Sequence, residues 1–168
     1  MTEMRILTVK QPWAWAIIHR GKDVENRSRN LAGEYRGLVA IHVGLTDDDN
    51  VADHEHPAHG LIHSPCPHRH QRNHKIWSCT WCSQTEHRRW ADHGHIIGVV
   101  DLTDAHDRFC DTDDYPICSQ WAEFDQWHLV LENPRPLAKP MPYRGGLGLR
   151  RLDPATTAEI LAAIGQTA

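Results

Sequence analysis

Two stretches of this 168-residue chain place reactive side chains at short spacing. The first is GKDVENR, residues 21–27, where Lys22, Glu25 and Arg27 follow a glycine of the kind that stops helices. Lys22 and Glu25 are spaced to pair, and Arg27 adds a planar fork of donors suited to phosphate or a base edge. The same cluster serves equally well as an ion pair bracing a helix–strand corner. The second stretch runs from Cys66 through His68, His70, His74 and the Cys79-x-x-Cys82 pair to His87. A Cys-x-x-Cys pair presents two thiolates to one ion, and a third cysteine with one histidine completes a tetrahedral zinc site. Cys66, Cys79 and Cys82 are the expected thiolates. His87 is the expected fourth ligand, with His68, His70 and His74 as alternatives. Three thiolates and an imidazole leave no position for water, so this zinc is expected to be structural. The competing reading is a polar, His-rich loop. His54, His56 and His59 lack a neighbouring cysteine and are expected to be solvated.

Aromatic side chains offer a further means of recognition. Trp13 and Trp15 are two positions apart on a predicted helix, so they point in different directions and cannot both face the core. One is expected at a cleft edge, where an indole stacks on a base. Trp127 opens an apolar run and is expected in the core.

Composition narrows the classes. Hydrophobic residues make up 40% and charged residues 24% of the chain, which suits a globular domain rather than a disordered one. No apolar run approaches the ~18 residues needed to span a bilayer, and the N-terminus lacks the charged-then-apolar pattern of a secretory signal. A cytoplasmic protein with no membrane partner is expected. Five cysteines, an odd count, point to metal or thiols rather than a disulfide framework in a reducing compartment. The net charge of −4 argues against a general DNA-coating protein, but the charge is uneven. Residues 133–152 carry Arg135, Lys139, Arg144, Arg150 and Arg151 and no acid, and residues 1–45 are also basic on balance. If these two segments fold together they form a positive face.

The elements that position these residues are mostly strands. Residues 5–9 (RILTV), 38–43 (LVAIHV), 95–102 (HIIGVVDL), 127–131 (WHLVL) and 148–152 (GLRRL) read as strands, the second apolar enough to be buried on both faces. Residues 12–20 read as a helix with Pro12 in its first turn and Gly21 as its stop. Asp153 caps a terminal helix through residue 164, with Pro154 at its first position. Residues 46–94 hold nine of the 14 histidines, show little periodicity, and read as an insertion with its own local order. The expected class is α+β, mainly β: one domain over 1–168, a small barrel with flanking helices and a Cys/His-rich insertion at 46–94.

The motifs LTVKQPWA (7–14), GK (21–22), ENR (25–27), YRG (35–37), AIH (40–42), IGVV (97–100), WHLVLENPRPL (127–137) and GGLGL (145–149) resemble those of ASCH domains, in the same order. The likeness spans 5–45 and 94–152. It implies a PUA-like β-barrel whose cleft binds RNA, single-stranded DNA or a nucleotide, including modified bases. It places Gln11, Pro12, Trp13, Lys22, Glu25, Asn26, Arg27 and Arg144 at that cleft. Some small ASCH proteins hydrolyse the acetyl amide of N4-acetylcytidine with a Lys, a Thr three residues later and a Glu on a later strand. Here Lys22 matches, Glu25 stands at the Thr position, and the nearest acid on the later strand is Asp101. With the hydroxyl nucleophile missing, Lys22, Glu25 and Asp101 form a catalytic set only if they activate water as general bases. Binding is therefore the primary expectation. A hydrolase acting on a modified nucleoside or nucleic acid is the alternative, and an interaction domain built on the insertion is a weaker third.

Zinc on the insertion is directly testable. Untagged protein is expected to hold about one equivalent on Cys66, Cys79, Cys82 and a histidine. Elemental analysis should find Cys79→Ser depleted by that amount and less heat-stable. Equal zinc content and equal stability would reject the site.

Overall fold

The computed structural model describes residues 2–48, 71–73, 76–78, 92–107 and 118–166. The insertion ligands Cys66, His68, His70, His74, Cys79, Cys82 and His87 lie outside the described residues.

In chain order the elements are β1 (Met4–Gln11), α1 (Trp13–His19), β2 (Val24–Arg27), β3 (Gly37–Asp47), β4 (Gln71–Asn73), β5 (Ile76–Ser78), β6 (His95–His106), β7 (Trp127–Pro142), β8 (Leu149–Arg151) and α2 (Pro154–Ala163). The fold is mostly β. Six strands form one sheet in the order β2-β7-β6-β3-β1-β8, curled into a half-barrel, and β4 and β5 make a separate antiparallel pair. Among the described residues no helix is long and apolar enough to cross a membrane.

The centre of the sheet is the apolar run in β3, buried from Val39 to Gly44. Alternation divides its side chains between two cores. Val39, Ile41 and Val43 join Leu7, Val9, Ile97, Val100 and Leu102 beneath α1. Ala40 joins Met4, Ile6, Ile96 and Val99 beneath α2, which contributes Ile160 and Leu161. The expectation of burial on both faces therefore holds. β1 and β3 run parallel, with Leu7 opposite Ile41, so the chain must cross over between them, and α1 lies in that crossover.

Several elements depart from the sequence reading. Pro12 sits one residue before α1, at the N-cap position, with no side-chain cap of its own. The Gln11 side chain serves that end instead, its Oε1 accepting the Trp15 N–H at 3.0 Å. β2 was not expected from so polar a segment, and pairing with β7 forms it, Val24 opposite Val130. β7 continues to Pro142, through Pro134, Pro136 and Pro140. Those prolines are tolerated because β2 pairs only with Trp127 to Val130. Beyond that point β7 pairs with β6 alone among the described residues, so a proline whose nitrogen faces away from β6 breaks no ladder bond. Trp127 is half-buried rather than core, standing at the end of the ladder opposite Arg27. The terminal helix forms as expected, with Asp153 Oδ1 accepting the Thr156 N–H at 2.9 Å.

The contact of α1 with the sheet depends on Gly98. A Cβ there would lie 2.7 Å from Ile18 Cδ1 and 2.8 Å from the Arg135 carbonyl oxygen, so backbone as well as side chain would have to yield. Gly98→Ala is expected to destabilise the protein by about 1–3 kcal/mol, as overpacking does. A urea melt would show this as a lower midpoint at unchanged slope; an unchanged midpoint would contradict this packing.

Candidate functional site

α1 runs to His19 with Arg20 as its C-cap, and Gly21 follows at φ +70°, a conformation that costs glycine little. The next N–H, of Lys22, returns to the Ala16 carbonyl at 3.1 Å. This turn leaves Lys22 with only 2% of its side chain exposed. Its ammonium donates to the Val24 carbonyl and lies 3.5 Å from Glu25 Oε2. It also stands 5.3 Å from the Trp13 ring centre and 5.8 Å from that of Trp121, within cation–π range. Burial pulls the Lys22 pKa below its ordinary value, and the Glu25 carboxylate opposes that pull. Glu25 is itself buried, and its Oε1 accepts from Arg27 Nη2 at 2.9 Å. The same Nη2 donates to the Thr8 carbonyl at 3.0 Å, tying β2 to β1. Arg27 Nε is buried without a hydrogen-bond partner among the described residues. Lys22, Glu25 and Arg27 thus form one continuous ion chain.

The chain lies in a cleft of about 880 Å³, within the range of small-molecule sites. Lys10, Lys22, Arg27 and Arg144 supply positive charge to its lining, and Glu25, Asp48 and Glu123 negative charge. Trp13 lines it with its indole N–H donating to Asp48 Oδ2 at 2.8 Å. Leu45 and Leu147, 81% and 95% exposed, stand at it as well. Asn26 holds one wall together: its Nδ2 donates to the Trp121 carbonyl at 2.8 Å, and its Oδ1 accepts the Glu123 N–H at 3.0 Å.

Of the residues expected at a cleft, Trp13, Lys22, Glu25, Asn26, Arg27 and Arg144 line this one, whereas Gln11 is fully buried behind α1 and Pro12 is not in the lining. Asp101 does not line it either: it pairs with Arg135, and its Oδ2 accepts from Asn133 at 2.9 Å. The set Lys22, Glu25 and Asp101 is therefore not assembled. The two basic segments do meet, since β8 pairs with β1, Arg151 opposite Arg5.

The cleft also holds groups that the sequence reading missed. His42 is 2% exposed, and its Nε2 lies 3.0 Å from the Tyr143 carbonyl. A carbonyl only accepts, so Nε2 carries the proton. Nδ1, a buried acceptor in the neutral ring, has no hydrogen-bond partner among the described residues. Gly145 packs directly on this ring, since a Cβ there would come within 2.3 Å of His42 Cε1. Gly146 N–H donates to Thr8 Oγ1 at 3.2 Å. The only sequence signals were a histidine inside an apolar strand and a Gly-Gly pair far along the chain.

A second cluster lies outside the cleft lining. The donor atoms of His106, Cys118 and His128 all fall within 4.8 Å of one another, close enough to hold a metal ion.

No protein-family model matches the chain, and no curated protein matches it.

Burial lowers the His42 pKa, and the backbone carbonyls beside the ring oppose this without reversing it. The unfolded chain then binds more protons than the folded one between the folded pKa and about 6.5. His42 is expected to contribute stability that is complete above about pH 6.5 and lost as pH falls toward the folded pKa. Chemical melts across that window should flatten in His42→Asn relative to wild type. Identical pH slopes would exclude His42 as the source.

Proposed function

We propose that this chain is an ASCH-type, PUA-like module that binds a nucleotide in this cleft, free or within single-stranded RNA or DNA. The ion chain of Lys22, Glu25 and Arg27 beneath Trp13 carries the reading. Burying charges costs several kcal/mol per ion even when they are paired, and apolar residues of similar volume hold a fold as well or better. A recognition role accounts for their retention. Arg27, 28% of whose side chain is exposed, offers guanidinium donors for the edge of a base. Trp13, Leu45 and Leu147 offer apolar surface for its face. Lys10 and Arg144 are exposed and suited to phosphate. The near balance of cations and carboxylates in the lining favours one inserted nucleotide over a tract of phosphates.

A hydrolase acting on a modified nucleoside is the second reading, and the lowered pKa of Lys22 favours it, because a neutral amine is a base. It ranks below binding because Lys22 pairs with Glu25 and Asp101 lies elsewhere.

Fluorescence titration with nucleotides and short single-stranded RNA and DNA at two salt concentrations tests both readings. Arg144→Ala is expected to weaken polymer binding at every sequence and to lower the salt slope by about 0.7. Absence of binding to any of these at low salt would refute the module. Turnover of N4-acetylcytidine that is lost in Lys22→Ala would make the hydrolase reading primary.

A further inference from the structure

The ligand atoms of His106, Cys118 and His128 converge to within 4.8 Å of one another. His106 Nδ1 lies 2.9 Å from Asp104 Oδ2, so this nitrogen carries the proton. Its Nε2 then turns a lone pair toward Cys118 Sγ at 3.3 Å. His128 is 1% exposed, and its Nε2 donates to the Glu123 carbonyl at 2.9 Å. Its Nδ1 likewise turns a lone pair toward the same sulfur at 3.3 Å. A thiol has one proton and satisfies one of these lone pairs. A metal ion shared by the three donors would engage both ring nitrogens and the thiolate at once.

We propose that His106, Cys118 and His128 bind a zinc ion, through Nε2, thiolate Sγ and Nδ1 respectively. Zinc–nitrogen bonds near 2.0 Å and a zinc–sulfur bond near 2.3 Å at tetrahedral angles put N and S about 3.5 Å apart, close to the two separations found here. Two imidazoles and one thiolate are a borderline-soft set that suits zinc. Each imidazole already has its outer N–H fixed, one by a carboxylate and one by a backbone carbonyl, the arrangement that orients metal-bound histidines. Water or an exogenous ligand completes the tetrahedron. A Cys–His nucleophile would need only one base, so the second imidazole favours the metal.

The site would act as a staple. Cys118 lies in the connection between β6 and β7 that also carries Trp121, Glu123 and Gln126, and the last two line the cleft. His106 ends β6 and His128 lies in β7, so the ion would pin that segment to both strands. This assignment is independent of what the cleft binds and of any metal in the insertion.

The test uses the full-length, untagged protein. Cys118 is exposed, so Cys118→Ser should fold. It is expected to hold about one equivalent of zinc less than wild type, whatever the insertion retains. Cobalt(II) titration should show a thiolate-to-cobalt charge-transfer band whose intensity falls by one site in Cys118→Ser. Asp104→Asn, which keeps every ligand, should bind the ion about 10–100-fold more weakly. Zinc should also slow alkylation of Cys118 by iodoacetamide, read on its peptide by mass spectrometry. Equal metal content in wild type and Cys118→Ser, or alkylation of Cys118 at one rate with and without zinc, would overturn the proposal.

Discussion

A buried ammonium group constrains everything around it. Lys22 has lost nearly all its water, and its charge is tolerable only because the Glu25 carboxylate and the Val24 carbonyl replace that hydration. Glu25, also buried, requires Arg27 in turn. The chain must therefore turn at Gly21, β2 must pair with β7 to hold Glu25 in place, and Trp121 must close over the group with Trp13. Moving any of these leaves a charge uncompensated in an apolar setting. The link from sequence to function runs through this one cost.

The walls of the cleft come from segments far apart in the chain, and close packing brings them together. Thr8 holds both Arg27 and Gly146, so β1 serves as a common anchor for the ion chain and for the 143–148 loop. Gly145 lets that loop approach until backbone rests on the His42 ring, a separation that any Cβ would prevent. The same economy operates at Gly98, where a missing side chain seats α1 on the sheet. Two glycines thus set the positions of opposite parts of the site.

The curl of the sheet has a local origin. The pairing of β6 with β7 shifts register at Ile96/Gly98, Val99/Asp101 and Leu102/Asp104. Each irregularity bends and twists the ladder, and three in succession turn a flat pair into the side of a half-barrel. They also upset simple alternation, so the face taken by a residue such as Asp101 cannot be counted from its neighbours.

The sequence by itself determined the local features. Gly21 marked the end of α1, and Asp153 with Pro154 marked the start of α2. The apolar run of β3 announced a central strand. The spacing in residues 21–27 marked Lys22 and Glu25 as a pair, whereas the bond from Arg27 to Glu25 came with the folding of β2. The same pattern left β2 and the far half of β7 unread, since polar residues and prolines become strand only when a partner supplies or withholds the hydrogen bonds. Tertiary structure alone decided that His42 faces Tyr143 and Gly145, that Asp101 pairs with Arg135 and Asn133 away from the cleft, and that His106, Cys118 and His128 share one point. Each depends on strand register, and a shift of one residue sends a side chain to the other face of the sheet.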